Sequence, residues 1–233
     1  MDEGYSKHLL IKLGSKEHMT ALYEQGEIHM QTVDYFRSLE RKDDGRADPN
    51  ENLKQHFQGN GSKGLAITVK KDGSTIHLSR ESGLVFLDVI ENLPIGINIY
   101  SLSHVGLPVG VTTTPVLDLK NFSEDKDYAV IIRNMKEFVE RIRSSMMKQQ
   151  GYMDIAAKLI EYYDHTNYGG EVGIFRKSKE YEYQKEYRVV GYFKDKCVRK
   201  FYVGSLKGIA YPPMDKETFS NLTIRITNGK DGF

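Results

Sequence analysis

The sequence predicts an α+β fold: mixed, mostly antiparallel sheets with flanking helices. Three observations predict it. Strand and helix patterns occur without the regular βαβ alternation that a doubly wound sheet requires. From Glu171 onward the pattern is almost entirely strand. Between Ile131 and Gln149, apolar residues recur at helical spacing. No repeat, low-complexity stretch or Pro/Gly linker divides the 233 residues. One domain over 1–233 is therefore expected.

The elements follow in order. His8-Leu9-Leu10-Ile11-Lys12-Leu13 reads as a first strand with a buried aliphatic face. Ser15 caps a helix that runs to about Gln25, and Gly26 ends it. Met19, Leu22 and Tyr23 give this helix its apolar stripe. A short strand at Ile28–Met30 and a short helix at Thr32–Leu39 follow. Arg41 to Asn52 is polar and turn-rich, the composition of a solvated loop. Leu65–Lys70 and Ser74–Ser79 alternate about Lys71-Asp72-Gly73, the strongest hairpin signal in the chain.

Ile97–Val105 reads as a strand with Tyr100, Leu102 and His104 on one face. Ile99, Ser101, Ser103 and Val105 take the other face. A hydroxyl facing a core needs a partner, so that face is either wet at the serines or built for a site. Ile131–Gln149 is the clearest helix, and Met153–Asp164 is expected to be a second. The late strands are expected at Val172–Phe175, Glu186–Phe193, Cys197–Val203 and Leu222–Thr227.

Composition narrows the function. Lys and Arg number 33 and Asp and Glu 32, a formal net charge of +1. Bulk electrostatic attachment to nucleic acid is excluded, though a local basic groove is not. The single cysteine, Cys197, permits no disulfide framework and no zinc deaminase site; a core or sheet thiol is its expected role. The seven histidines form no i,i+4 metal pair, and the Asp43–Asn52 carboxylates miss the calcium-loop spacing. No metal is expected. P-loop, dinucleotide-fingerprint and nucleophile-elbow motifs are absent from the chain. No apolar run reaches membrane-spanning length and the opening residues lack a signal-peptide pattern. The expectation is a cytoplasmic protein with no membrane partner.

The most informative stretch is Tyr183-Gln184-Lys185-Glu186-Tyr187-Arg188. On a strand, Gln184 and Glu186 would share a face at its start. An amide and a carboxylate aimed into one pocket can read sugar hydroxyls and stabilise positive charge on a ribose. The alternative is a half-exposed strand with charges on its solvent face. Arg188 is expected to pair with a carboxylate and fix this strand. Nearby, Arg176, Lys177, Lys179, Lys185, Arg188, Lys194, Lys196, Arg199 and Lys200 surround the late strands, interleaved with Tyr181, Tyr183 and Tyr187. That interleaving suits stacking of single-stranded bases, or equally a solvated sheet face.

Lys12 on the first strand, Ser101 and Ser103 on a middle strand, and Gln184-Lys185-Glu186 late in the chain form an ordered set. In this order the chain resembles the ADP-ribosyltransferase superfamily. It is also similar to an uncharacterised bacterial and phage family ending in Gln-x-Glu-Tyr-Arg. Leu10-Ile11-Lys12-Leu13, Tyr35-Phe36-Arg37, Arg46-Ala47-Asp48-Pro49-Asn50-Glu51 and Tyr100-Ser101-Leu102-Ser103 carry that likeness with Gln184–Arg188. Lys12 stands where many transferases have Arg or His.

The resemblance implies an ADP-ribosyltransferase-like fold and NAD as substrate. It implies Glu186 and Gln184 as catalytic residues. Lys12, Tyr35, Arg46, Tyr100, Ser101 and Ser103 would hold the NAD. It further implies a toxin or defence effector that modifies RNA or DNA and is neutralised by an antitoxin protein. Two other readings stay open: an NAD glycohydrolase using the same site, and a non-catalytic protein that binds a partner.

Overall fold

The computed structural model describes residues 7–38, 53–58, 65–68, 75–78, 85–89, 95–107, 112–113, 117, 119, 122–123, 125–164, 168 and 170–225. The chain begins with β1 (Lys7–Gly14), α1 (Lys16–Gln25), β2 (Glu27–Thr32) and α2 (Val33–Ser38). Then come β3 (Leu53–Gln58), β4 (Leu65–Thr68), β5 (Thr75–Leu78) and β6 (Val85–Val89). The long β7 (Gly96–Leu107) precedes β8 (Thr112–Thr113), β9 (Tyr128–Ile132) and α3 (Met135–Met146). β10 (Tyr152–Leu159), β11 (Glu161–Tyr163), β12 (Gly170–Glu171) and β13 (Arg176–Ser178) follow. A 3₁₀ helix (Lys179–Gln184) leads into β14 (Glu186–Phe193) and β15 (Arg199–Tyr202). The described chain closes with β16 (Met214–Asp215), α4 (Lys216–Ser220) and β17 (Ile224–Arg225).

The architecture is α+β with a mostly antiparallel main sheet. Its strand order is β10-β14-β7-β1-β9-β16, and β2 branches from β7 to carry β15. The branch matters. On one edge β7 pairs with β14 along Gly96–Ser103. On its other edge it pairs with β1 at Ser103–Leu107 and with β2 at Asn98 and Ile99. β1 leaves β7 after Ile11 and continues beside β9. The sheet therefore splits at Tyr100–Leu102, and a cleft opens at the split.

Two cores cover the two faces. One joins Leu10, Tyr100, Leu102 and Val189 to α1 and α3. On α3, Phe138, Ile142 and Met146 are fully buried, each contributing roughly 1.5–3 kcal/mol. The other core gathers Leu9, Ile11, Val105, Ile131 and Phe219. Asn98, fully buried, donates to the Met30 and Cys197 carbonyls at 3.2 and 2.9 Å, tying β2 and the approach to β15 onto β7.

Several sequence expectations hold. Ser15 caps α1, accepting from the His18 N–H at 3.4 Å, and Gly26 ends it in the left-handed conformation. β4 and β5 form the expected antiparallel hairpin, with its Lys71–Gly73 turn outside the described residues. The serines of β7 lie on the face anticipated for them.

Others need correction. The expected helix at Met153–Asp164 is instead β10 and β11. β14 is buried along almost its whole length. Buried backbone N–H and C=O groups must be paired, and β10 supplies the partners for one edge from Tyr187 to Phe193. That demand overrides the helix preference of Ala156, Ala157, Lys158 and Leu159. The Ile131–Gln149 helix starts later, at Met135, because Ile131 and Ile132 belong to β9. Asn134 then caps α3 by accepting from the Glu137 N–H at 3.1 Å. Strand pairing falls at Gly170–Glu171 and Arg176–Ser178 rather than Val172–Phe175. Cys197 precedes β15 and is exposed rather than held in the core or sheet.

Gly26 is a sharp test of this packing. Its φ is +70°, and a Cβ there would collide with the Gly204 carbonyl and lie 2.8 Å from the Val203 side chain. Gly26→Ala is expected to cost about 1–3 kcal/mol in urea denaturation.

Candidate functional site

The cleft at the sheet split has a volume of about 490 Å³, within the range of small-molecule sites. Lys12, Tyr35, Tyr100, Ser101, Ser103, Gln184 and Glu186 all line it. Residues up to 174 positions apart in sequence thus meet, because β1, β7 and β14 are neighbours. Arg46 lies outside the described residues, as does the rest of the Arg46–Glu51 element.

Glu186 is the centre. It is 4% exposed and opens β14, opposite Ser103 on β7, while Arg188 stands opposite Ser101. The four side chains share one face by register. Ser101 Oγ donates to Glu186 Oε1 at 2.5 Å, and Arg188 Nε donates to the same oxygen at 2.7 Å. Lys177 Nζ donates to Glu186 Oε2 at 3.3 Å. The Glu186 backbone N–H donates to the Tyr162 hydroxyl at 2.8 Å. Arg188 is itself fixed by donating to the Ile174 carbonyl at 2.5 Å. Burial alone would raise the Glu186 pKa. Arg188 and Lys177, with the Arg188 and Ser101 hydrogen bonds, overcome it and hold the carboxyl well below the usual range.

Lys12 spans the split. Its ammonium donates to the Ser101 carbonyl at 2.7 Å and sits 4.2 Å above the Tyr100 ring. That carbonyl lies on the stretch of β7 between its β1 and β2 pairings, so Lys12 satisfies a group the branched sheet leaves without a strand. Burial, then the charge of Lys126, lowers the Lys12 pKa to about 8, against the opposing pull of Glu186. Tyr100 is 4% exposed and supports Lys12 from below. Tyr35, by contrast, is half-buried on the rim, in edge contact with Phe36.

Gln184 meets Glu186 by a route other than strand geometry. Gln184 ends the 3₁₀ helix, and Lys185 turns the chain through a left-handed conformation with φ of +44°. The side chains are joined by Lys177, which donates to Gln184 Oε1 at 3.0 Å as well as to Glu186. Gln184 Nε2 donates to the Tyr183 hydroxyl at 3.2 Å, and Tyr183 packs edge-on against Phe122 at the cleft wall.

Sequence reasoning missed Lys177, Tyr162 and Lys126. Lys177 reads as one cation in a surface run, yet its side chain is 5% exposed. The only sequence signal was its place seven residues before Gln184 in a segment that folds back on β11. The run as a whole disperses. Arg176 pairs with Glu161, Arg199 with Asp195, and Lys200 with Glu27. Tyr187, expected among stacking tyrosines, is buried in the core instead. Among the described residues no group of three or more His, Cys, Asp or Glu side chains could hold a metal, and no helix is long and apolar enough to cross a membrane. No family model, curated protein or solved structure matches this chain.

The chemistry available here is that of a fixed, ionised carboxylate beside a hydroxyl, an amide and three cations. The depressed Glu186 pKa also has a stability consequence. The folded carboxyl binds its proton more weakly than the unfolded one. Its contribution is therefore complete above the ordinary glutamate pKa of about 4.3 and is lost as pH falls below it. Denaturant titrations between about pH 2 and 7 should show this acid loss in the native chain and a weaker slope in Glu186→Gln.

Proposed function

We propose that this protein is an NAD-dependent ADP-ribosyltransferase, with an ADP-ribosyltransferase-like arrangement of its main sheet, working in the cytoplasm on RNA or DNA. One observation carries the reading. Glu186, buried and ionised, lies in a cleft with Ser101 at 2.5 Å and with Lys12 and Gln184 on its walls. The resemblance of the Gln184–Arg188 stretch to the superfamily supports the same assignment.

In this reading NAD enters with its nicotinamide ribose toward Glu186. The bond between ribose and nicotinamide breaks, its electron pair leaving with nicotinamide. Positive charge develops on the ribose. Glu186 stabilises that charge and accepts a hydrogen bond from a ribose hydroxyl, taking over from Ser101. Such contacts strengthen in the transition state and are worth several kcal/mol in glycosidic cleavage. Because the cations keep Glu186 ionised, it acts as an electrostatic stabiliser rather than a proton acceptor. Lys12 meets the pyrophosphate or ribose as a point charge. Tyr35 on the rim offers a stacking face. Lys126, which lines the cleft with Lys12, favours a polyanionic acceptor. A toxin or defence role with an antitoxin partner follows from the family likeness.

Labelled NAD incubated with cell extract tests the proposal, with RNA, DNA and protein scored separately. Label is expected in nucleic acid, and Glu186→Gln should lower it by roughly 10²–10³-fold. Intact NAD and no label in any fraction would leave a partner-binding protein. Free ADP-ribose without label would mark a glycohydrolase.

Lys12 makes a second test. It is cationic below about pH 8 and loses its charge as pH rises through that value. ADP-ribose affinity, followed by calorimetry, should be flat below that pH and fall above it. Lys12→Gln should bind more weakly and lose the alkaline decline.

A further inference from the structure

We infer that the open edge of β10 is the docking surface for a second copy of this chain, paired antiparallel about Ala156. The inference goes beyond the transferase reading and does not depend on it. β10 ends the main sheet. β14 takes one of its edges, and among the described residues no strand takes the other. Such an edge presents backbone groups that template pairing with another chain. Met153 and Leu159, 48% and 43% exposed, stand at its two ends. The exposed Asp154 and Lys158 lie between them.

The backbone limits the registers. Hydrogen-bonded residues alternate along an antiparallel strand. Ile160, just after β10, donates its N–H to the Glu186 carbonyl at 3.0 Å. The even-numbered residues from Asp154 onward therefore face β14. Ile155, Ala157 and Leu159 turn their N–H and C=O groups to the open edge. The Ile155 N–H agrees with this direction, because it donates to Asp154 Oδ1 at 2.8 Å rather than to β14. A second β10 must pair odd residues with odd and even with even.

The side chains choose among those registers. With Ala156 opposite Ala156, Asp154 of each copy meets Lys158 of the other, and Met153 comes beside Leu159. Two opposite-charge pairs form about the two-fold axis. Sliding to either neighbouring permitted register removes both pairs. In the single chain, Asp154 occupies the Ile155 N–H, and Lys158 lies 4.7 Å from the Phe175 ring. Pairing exchanges these contacts for the Ala157 carbonyl and the Asp154 carboxylate of the second copy. An unrelated strand would meet the lysine and the bulge between Tyr152 and Asp154, both of which discourage edge pairing. A second β10 answers the lysine with a carboxylate.

Light scattering of the native chain, from low to high micromolar concentration, should show a concentration-dependent dimer. Asp154→Lys and Lys158→Asp should each weaken it at least about tenfold, because like charges then face each other. The double exchange should restore it. Covalent trapping tests the register in a Cys197→Ser background, which removes the exposed native thiol. There Ala156→Cys should give a disulfide-linked dimer on mild oxidation. Opposed residues of a non-hydrogen-bonded pair lie about 4.5 Å apart at Cα, within disulfide range. Ala157→Cys should stay unlinked, because Ile155 is the residue opposite. A native chain that stays monomeric throughout overturns the inference without any variant. So does a dimer that both single exchanges leave intact, or a folded double exchange that stays monomeric. Linkage through Ala157→Cys and not Ala156→Cys overturns it as well. None of these readouts involves NAD, so their outcome is separate from that of the transferase reading.

Discussion

A buried carboxylate governs this structure. Placing Glu186 in the interior without compensation would cost several kcal/mol. Four elements supply the compensation. Arg188 comes from the same strand, Ser101 from β7 and Lys177 from β13. Tyr162 of β11 accepts from the backbone N–H of Glu186 itself. Ionisation of one side chain thus requires the register of β14 against β7 and the fold-back of the segment before it. A one-residue slip between β7 and β14 would turn Ser101 to the opposite face and leave the charge exposed to an apolar core. Site and sheet are specified by the same constraint.

The branching of the sheet is the second requirement. β7 is long enough to serve β14 on one edge and two different strands on the other. Where those two part, backbone groups would be orphaned. Lys12 answers with its ammonium on the Ser101 carbonyl. The same residue therefore stabilises the split and supplies the cleft with a cation. Burial lowers its pKa, a cost to the protonated form that the charge of Glu186 offsets only in part. Polar residues held at such expense in a cavity wall are commonly there for a ligand.

Local chemistry made much of this legible from sequence. Ser15 and Gly26 announce α1 because capping is a short-range property of the residues involved. The alternation of β7 and the strand formers of β14 declare their faces for the same reason. Long-range demands were not legible. Met153–Leu159 has helical composition and becomes a strand because β14 needs a partner on that edge. Ile131 and Ile132 fit a helical stripe and a buried strand equally well; the β1 edge decides for the strand. Gln184 and Glu186 do come together, but through a left-handed Lys185 and a bridging Lys177 that two-residue periodicity cannot foresee. Lys177 looks like surface charge until β13 folds it inward.

The electrostatics of the site assign distinct tasks to its charges. The chain as a whole is nearly neutral at +1, so any preference for anions arises from local placement. In the cleft Lys12, Lys177 and Arg188 surround the buried carboxylate of Glu186. Cations gathered at random around a carboxylate would blunt it. The opposite follows when the cations are fixed in place before the substrate arrives. Preorganised charges cost no reorganisation as the reaction proceeds, and they keep Glu186 ionised across the whole working pH range. In the proposed reaction, a ribose that turns positive would find an anion already in position. On the same proposal, the remaining positive charge would meet the pyrophosphate and the polyanionic acceptor. Lys12, with its pKa lowered to about 8, changes charge just above neutrality, which in the proposed reaction would place that pH sensitivity on ligand binding rather than on the carboxylate.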